Sequence, residues 1–340
     1  LFGTKFLREW VRTLRLLKPS IILTAEDHTG WDAITEPQER GGIGFDATWW
    51  AEWYHQLIGD SQNDSRQARL LHFAGFGGNN PLAVSSLATT LLKTPGHVIY
   101  HESHDQAGNA AYWEGNRELR SARTIQTAVN GKLDGNRDWA ESRCRAVAGL
   151  TLLAAGVPMF FMGEEVGAKE PYRYHDWLYH REDFHALRAT SGAKLFNFYR
   201  DAIRLRRQHA ALRSPQVEVL HVHDANRAIA FRRWLGKKEF LVIATLSNAP
   251  FADGYRISHN GLRLGVFAEV LNSDATAYGG TGVTNPKRLV CAHGDFTARL
   301  PANGVVVFQR VAADSIGSFF KLLTLEISDW IRRLFDRQRG

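Results

Sequence analysis

Ser20-Ile21-Ile22-Leu23-Thr24-Ala25-Glu26-Asp27 carries five apolar or β-branched residues straight into two acids. A short run buried on both faces is the pattern of a parallel-sheet strand. In parallel α/β barrels the C-terminal strand ends carry the chemistry. The same shape recurs twice. His97-Val98-Ile99-Tyr100 runs into His101-Glu102-Ser103-His104-Asp105, and Gly156-Val157-Pro158-Met159-Phe160-Phe161-Met162 runs into Gly163-Glu164-Glu165. Three hydrophobic strands that each deliver acids at the same end point to a carboxylate-driven site.

Working outward, strands are expected at 20–25, 97–103 and 157–162, with Gly42 to Trp50 as a further candidate. Residues 4–17 place Phe6, Leu7, Trp10, Val11, Leu14 and Leu17 at three- and four-residue steps, an amphipathic helix closed by Lys18-Pro19. Helical patterns follow at 51–58, 80–93, 139–155 and 192–210. This helix-strand repetition, with polar βα loops, is the sequence shape of a (β/α) barrel. From Ser214 to about residue 311 the pattern changes to short alternating segments, such as Phe240-Leu241-Val242-Ile243-Ala244, separated by turns. That reads as an antiparallel β-sandwich. Ile316, Phe320, Leu323, Ile327 and Trp330 then line one face of an amphipathic helical tail, expected to pack back onto the body rather than onto a membrane. The expected units are 1–212, 213–312 and 313–340.

The 340 residues, 44% hydrophobic and 23% charged, suit a soluble globular protein with ample core. The +7 formal charge is dispersed over 42 basic and 35 acidic residues, with no basic block and no nucleic-acid motif, so no nucleic-acid partner is expected. Aromatics make up 11%, including 10 Trp, which serves sugar binding as well as core packing. Cys144 and Cys291 read as reduced structural thiols of a cytoplasmic protein. No signal peptide and no apolar run of about 18 residues is present. No oxygen-ligand cluster has metal-loop spacing, and neither a metal nor a cofactor is expected.

Glycosidic-bond chemistry uses two carboxylates around an oxocarbenium-like centre, one protonated and one ionised. Glu26 and Asp105 are the candidates, although spacing alone would also fit surface acids at strand ends. Their flanks are more specific. Ala25-Glu26-Asp27 followed by Gly41-Gly42-Ile43-Gly44-Phe45-Asp46 resembles the general-acid strand of α-glucan branching enzymes in the α-amylase superfamily. Ser103-His104-Asp105-Gln106 resembles that superfamily's last active-site motif, and Pro158 to Glu165 its final barrel strand. Leu271-Asn272-Ser273-Asp274 and Leu300 to Phe308 resemble its C-terminal β-domain.

The resemblance spans residues 5 to 311 and implies an α/β fold: a partial (β/α)8 TIM barrel, the last four βα units, followed by an antiparallel β-sandwich domain. It implies that Glu26 is the general acid/base and that Asp105 grips the sugar hydroxyls and stabilises the distorted transition state. His104 would hydrogen-bond the same sugar. Trp31 is a candidate for stacking in the acceptor region, with core packing the alternative. Asp27 is expected to be structural. The implied reaction is 1,4-α-glucan branching by retaining glycosyl transfer on glycogen, starch or a maltooligosaccharide. The alternatives are α-amylase-type hydrolysis and a non-catalytic α-glucan-binding relative. The superfamily's nucleophile, an Asp with a nearby Arg at the end of the fourth barrel strand, has no counterpart here, and Gly44-Phe45-Asp46 lacks the Arg. Retaining transfer needs a second carboxylate about 5 Å from the acid as nucleophile. The chain is therefore expected to be part of a longer or split enzyme, or a degenerate relative.

Overall fold

Helix α1 spans Phe2–Leu17 and leads into four short parallel strands, β1 (Thr24–Glu26), β2 (Ala47–Trp49), β3 (His97–Ile99) and β4 (Val157–Pro158), hydrogen-bonded in that order. The computed structural model describes residues 2–27, 29–59, 69–75, 80–105, 107, 123–125, 137–170, 172 and 182–312. The expected tail at 313–340 lies outside the described residues.

Register decides what each sheet face carries. Glu26 pairs with Trp49, Trp49 with Val98, and Val98 with Val157. Side chains alternate along a strand, so these four share one face, while Ala25, Thr48, Ile99 and Pro158 share the other. The second face is covered. Leu23 and Ala25 pack on Val11, Ile34 and Ile43, and Ile99 is fully buried in the main core. The first face is open at both margins: Val157 is 53% exposed, and Ile22, two residues before β1, is 79% exposed.

The strands are shorter than the hydrophobic runs suggested. Ser20 to Leu23 is not strand, and it is not buried on both faces as its composition predicted. The Asp46 carboxylate and backbone amide hydrogen-bond Leu23 to the next segment. Strand β4 ends at Pro158, and the Met159 amide still donates to the Ile99 carbonyl of β3 at 2.9 Å. The same uncovered surface appears on α1. Of its six expected core positions only Val11 is buried, while Phe6, Trp10 and Leu17 are exposed.

Helices α2 (Glu52–Leu57), α3 (Leu70–Gly75), α4 (Val84–Leu92), α5 (Arg137–Leu153), α6 (Phe184–Ala189), α7 (Ala193–Gln208) and α8 (Ala210–Arg213) follow the strands in chain order. The second half is antiparallel: β5 (Val217–His223), β6 (Ala228–Leu235), β7 (Lys238–Thr245), β8 (Phe251–Ser258), β9 (Gly265–Asn272), β10 (Leu289–Cys291), β11 (Asp295–Leu300) and β12 (Gly304–Ala312). A six-stranded sheet, β10-β9-β12-β7-β6-β5, is faced by the two-stranded pair β11-β8.

Ile229, Phe231, Val242 and Val305 belong to the core shared with the helices, whereas Ala230, Ile243, Val306 and Phe308 pack towards Ile257 and Phe296 of the pair. With both faces covered, β7 is buried at every position but its first. Its sequence is correspondingly a continuous hydrophobic run rather than a strict alternation. Helix α5 meets this sheet closely, since a Cβ on Gly149 would lie 2.3 Å from Val305 Cγ1.

Two arginines, half-buried Arg206 and fully buried Arg233, fasten the junction. The α5 C-terminus presents carbonyls that no intrahelical donor can reach. Arg206 donates to the Leu152, Ala154 and Gly156 carbonyls at 2.8, 2.8 and 2.7 Å. Arg233 donates to those of Leu153, Leu212, Ser214 and Gln216. Cations at a helix C-terminus also complement its dipole. Burial, with repulsion from Arg206, nevertheless draws the Arg233 pKa down to about 9. Cys144 and Cys291 are buried free thiols. No helix of the described residues is long and apolar enough to cross a membrane.

Candidate active site

Because Glu26 is the last residue of β1 and His104-Asp105 follows β3, the parallel sheet brings both to one edge. Trp49, in register with Glu26, bridges them: its ring centroid lies 5.5 Å from that of His104 and 5.6 Å from that of Tyr100, edge-on to the latter. Tyr100 is two residues beyond Val98, so it points to the same face as Glu26 and Trp49. Burial pushes its phenol up to about 12 against the pull of the Trp49 indole, and the charges of Asp105 and Glu26 add to the rise. The same sheet edge thus carries Glu26 at the end of β1 and Asp105 in the loop after β3.

His104 Nε2 lies 3.3 Å from Asp105 Oδ1, and both side chains are about half exposed, at 44% and 53%. Glu26 is exposed as well. The Ser103 hydroxyl accepts the Asp105 amide at 3.3 Å. This edge thus offers two accessible carboxylates, an imidazole and aromatic surface.

Behind it the segment is anchored by buried polar groups. Glu102 is fully buried, paired with Arg123 at 2.5 Å and accepting the Thr124 amide and hydroxyl at 2.9 Å. Burial drives its pKa upward, with Arg123 opposing and the Glu164 charge reinforcing. Arg123 also donates to the Met162 and Glu170 carbonyls, tying the loop after β4 to the loop after β3. Next to this pair, Trp53 donates to the Thr151 hydroxyl at 2.9 Å, Thr151 contacts His101 Nδ1 at 2.8 Å, and His101 Nε2 meets Glu164 Oε1 at 2.8 Å. Tyr199 donates to the same Glu164 oxygen at 2.5 Å. If the Thr151 hydroxyl donates to Nδ1, Nε2–H faces Glu164, and every member of the chain is satisfied.

This network corrects the expectation that three strands each deliver acids to the site. Glu164 is turned into the core, and Glu165 accepts the Gly163 amide at 2.9 Å. Asp27 closes a local turn by accepting the Thr29 amide and hydroxyl. Trp31 lies in the segment after β1, just before the turn at Asp32–Ile34. It is 51% exposed, which excludes the core alternative, and lines an open groove of ≈ 1360 Å³ with Arg8, Arg12, Arg15 and Phe45. Trp49 and Tyr100 were overlooked in the sequence. Their signal was an aromatic residue at or just beyond the end of a strand predicted to be parallel. Among the described residues no three His, Cys, Asp or Glu side chains form a metal-holding group.

Residues 219–311 match the family described as alpha amylase, C-terminal all-beta domain. Over 335 residues the chain is 25% identical to a 1,4-alpha-glucan branching enzyme of Geobacillus stearothermophilus, covering 94% of this chain and 47% of that protein. Over 327 residues it is 25% identical to the branching enzyme of Mycolicibacterium paratuberculosis, covering 92% and 39%. The chain thus spans half or less of the length of these relatives. Among solved structures, the alpha-amylase from H. orenii superposes with a TM-score of 0.57 at 17% identity, over 91% of this chain and 57% of that one. The alpha-amylase from Geobacillus thermoleovorans, complexed with acarbose, gives 0.55 at 12% identity, over 91% and 57%. At these identities the structural likeness speaks for the fold alone.

Proposed function

The chain is a branching-enzyme-like protein of the α-amylase superfamily, and on that premise we propose that it carries the acid half of a retaining α-glucan site. Glu26 is assigned as general acid/base, Asp105 as the carboxylate that holds the sugar hydroxyls and stabilises the distorted ring, and His104 as a further hydrogen-bond partner of that sugar. The observation that carries this reading is the placement of Glu26 and of His104-Asp105 at the same end of the parallel sheet, with Trp49 in register with the first and in ring contact with the second. We assign the reaction as 1,4-α-glucan branching, with a glycogen- or starch-like substrate and a cytoplasmic setting.

The architecture in this proposal is a half barrel in residues 1–212, followed by a β-domain in 213–312. The exposed margins of the Glu26-bearing face, at Ile22 and Val157, support it. Four strands closing against four others would cover that face. Double displacement needs a nucleophilic carboxylate about 5 Å from the acid, and we assign it to the complementary half. Trp31, in its groove, is assigned to the acceptor side.

The test is amylose conversion by the chain joined to a complementary half barrel from a branching-enzyme relative, read by iodine absorbance and by counting new 1,6-linkages. New linkages that Glu26→Gln abolishes are expected. Hydrolysis without new linkages would transfer the protein to the α-amylase-type reaction. Glucan binding with no turnover would leave a binding protein, and turnover surviving in Glu26→Gln would remove Glu26 as the acid.

A further inference from the structure

Trp49 occupies the middle of the acid-bearing edge, and none of the roles assigned above uses it. Strand register sets it opposite Glu26, and its ring contacts those of His104 and Tyr100. The indole meets the Tyr100 ring edge-on. Its Nε1 is buried and makes no hydrogen bond of normal geometry to a described residue, but it lies near enough to the Tyr100 hydroxyl to lower that pKa against the effect of burial. With the polar edge turned inward, the part of the ring left accessible is carbon. Trp49 is only partly buried and sits beside two accessible carboxylates.

A glucose unit presents hydroxyls around its rim and C–H groups on its faces. A site that grips the rim with Asp105 and His104 leaves a C–H face to be covered, and aromatic carbon covers it while shedding water. We propose that Trp49 is a substrate-binding residue of this site, packing its ring against the C–H face of the glucose unit held between Glu26 and Asp105. The inference rests on the α-glucan reading of the site and adds the residue that recognises the apolar side of the sugar. Tyr100 serves as its positioning residue, fixing the ring from behind.

The test uses the full chain and maltoheptaose. Wild-type protein is footprinted with hydroxyl radicals, with and without the sugar, and oxidation at Trp49 is read by mass spectrometry. Protection of Trp49 is expected. In calorimetry Trp49→Ala should weaken binding about tenfold, while Trp49→Phe, which keeps an aromatic face, should stay within about threefold of wild type. Unchanged Trp49 oxidation in a wild-type protein that binds the sugar overturns the inference even if Trp49→Ala fails to fold. So does Trp49→Ala binding at wild-type strength. A wild-type chain that binds no maltoheptaose removes the α-glucan reading, and the inference falls with it.

Discussion

The two sheets are built from similarly hydrophobic residues, yet they are finished differently. In the parallel sheet the strands are two or three residues long, and one face is exposed at its margins, at Ile22 and Val157. In the antiparallel sheet most strands run for seven to nine residues, and the central β7 and β12 are covered on both sides. The difference lies in neighbours. The strand pair β11-β8 and helices α4, α5 and α8 close the antiparallel sheet from within the described chain. The parallel sheet is covered on one face, while its other face packs at Trp49 and Tyr100 but stays exposed at Ile22 and Val157. A hydrophobic run becomes a long, protected strand only where something packs on both its faces, so equal composition does not give equal order.

The contrast can be broken by substitution. Phe231, fully buried in the antiparallel sheet, should cost roughly 3–5 kcal/mol when changed to Ala, measured by denaturant unfolding. A cost near that of an exposed site would mean this sheet is no better packed than the parallel one. Arg233→Met, which orphans the carbonyls of Leu153, Leu212, Ser214 and Gln216, should cost roughly 3 kcal/mol. Its unfolding curve should also show whether the two sheets unfold together.

Tyr100 tests the parallel side by pH. Its folded pKa of about 12 lies above the unfolded value of 10.0, so the folded state holds the proton more tightly. The associated stability is complete below pH 10 and is lost as pH rises to about 12, a decline of about 1.4 kcal/mol per unit that Tyr100→Phe should remove. Phenolate absorbance should register this late titration. Gly149→Ala probes the seam between α5 and β12. The new methyl would meet Val305, and a loss of about 1–3 kcal/mol is expected in thermal unfolding. Ile22→Ala is the opposite pole of the comparison, with a change within about 0.5 kcal/mol, because the side chain is 79% exposed. A large loss there would show that the inner face is covered in solution.

Much of this was legible in advance. The helix over Phe2–Leu17, the parallel order of acid-bearing strands and the shift to antiparallel structure after Ser214 follow from periodicity, because apolar spacing reflects which side of an element faces a core. The placement of Glu26, His104 and Asp105 at strand ends was legible for the same reason. Glu164 was misread because an acid after a hydrophobic strand looks the same whether it points to solvent or turns inward to Tyr199 and His101. Strand lengths were overestimated because composition records a preference for burial, not whether a neighbour exists to provide it.

By itself the sequence determined the order and type of the elements and the residues capable of acid chemistry, since both depend on local spacing and side-chain type. Only the tertiary structure decided that Trp49 stands beside Glu26, that its ring meets those of His104 and Tyr100, that Trp31 lines an open groove, and that Arg206 and Arg233 close the end of α5. These depend on register and on contacts between segments far apart in the chain, and no local pattern encodes the distance between them.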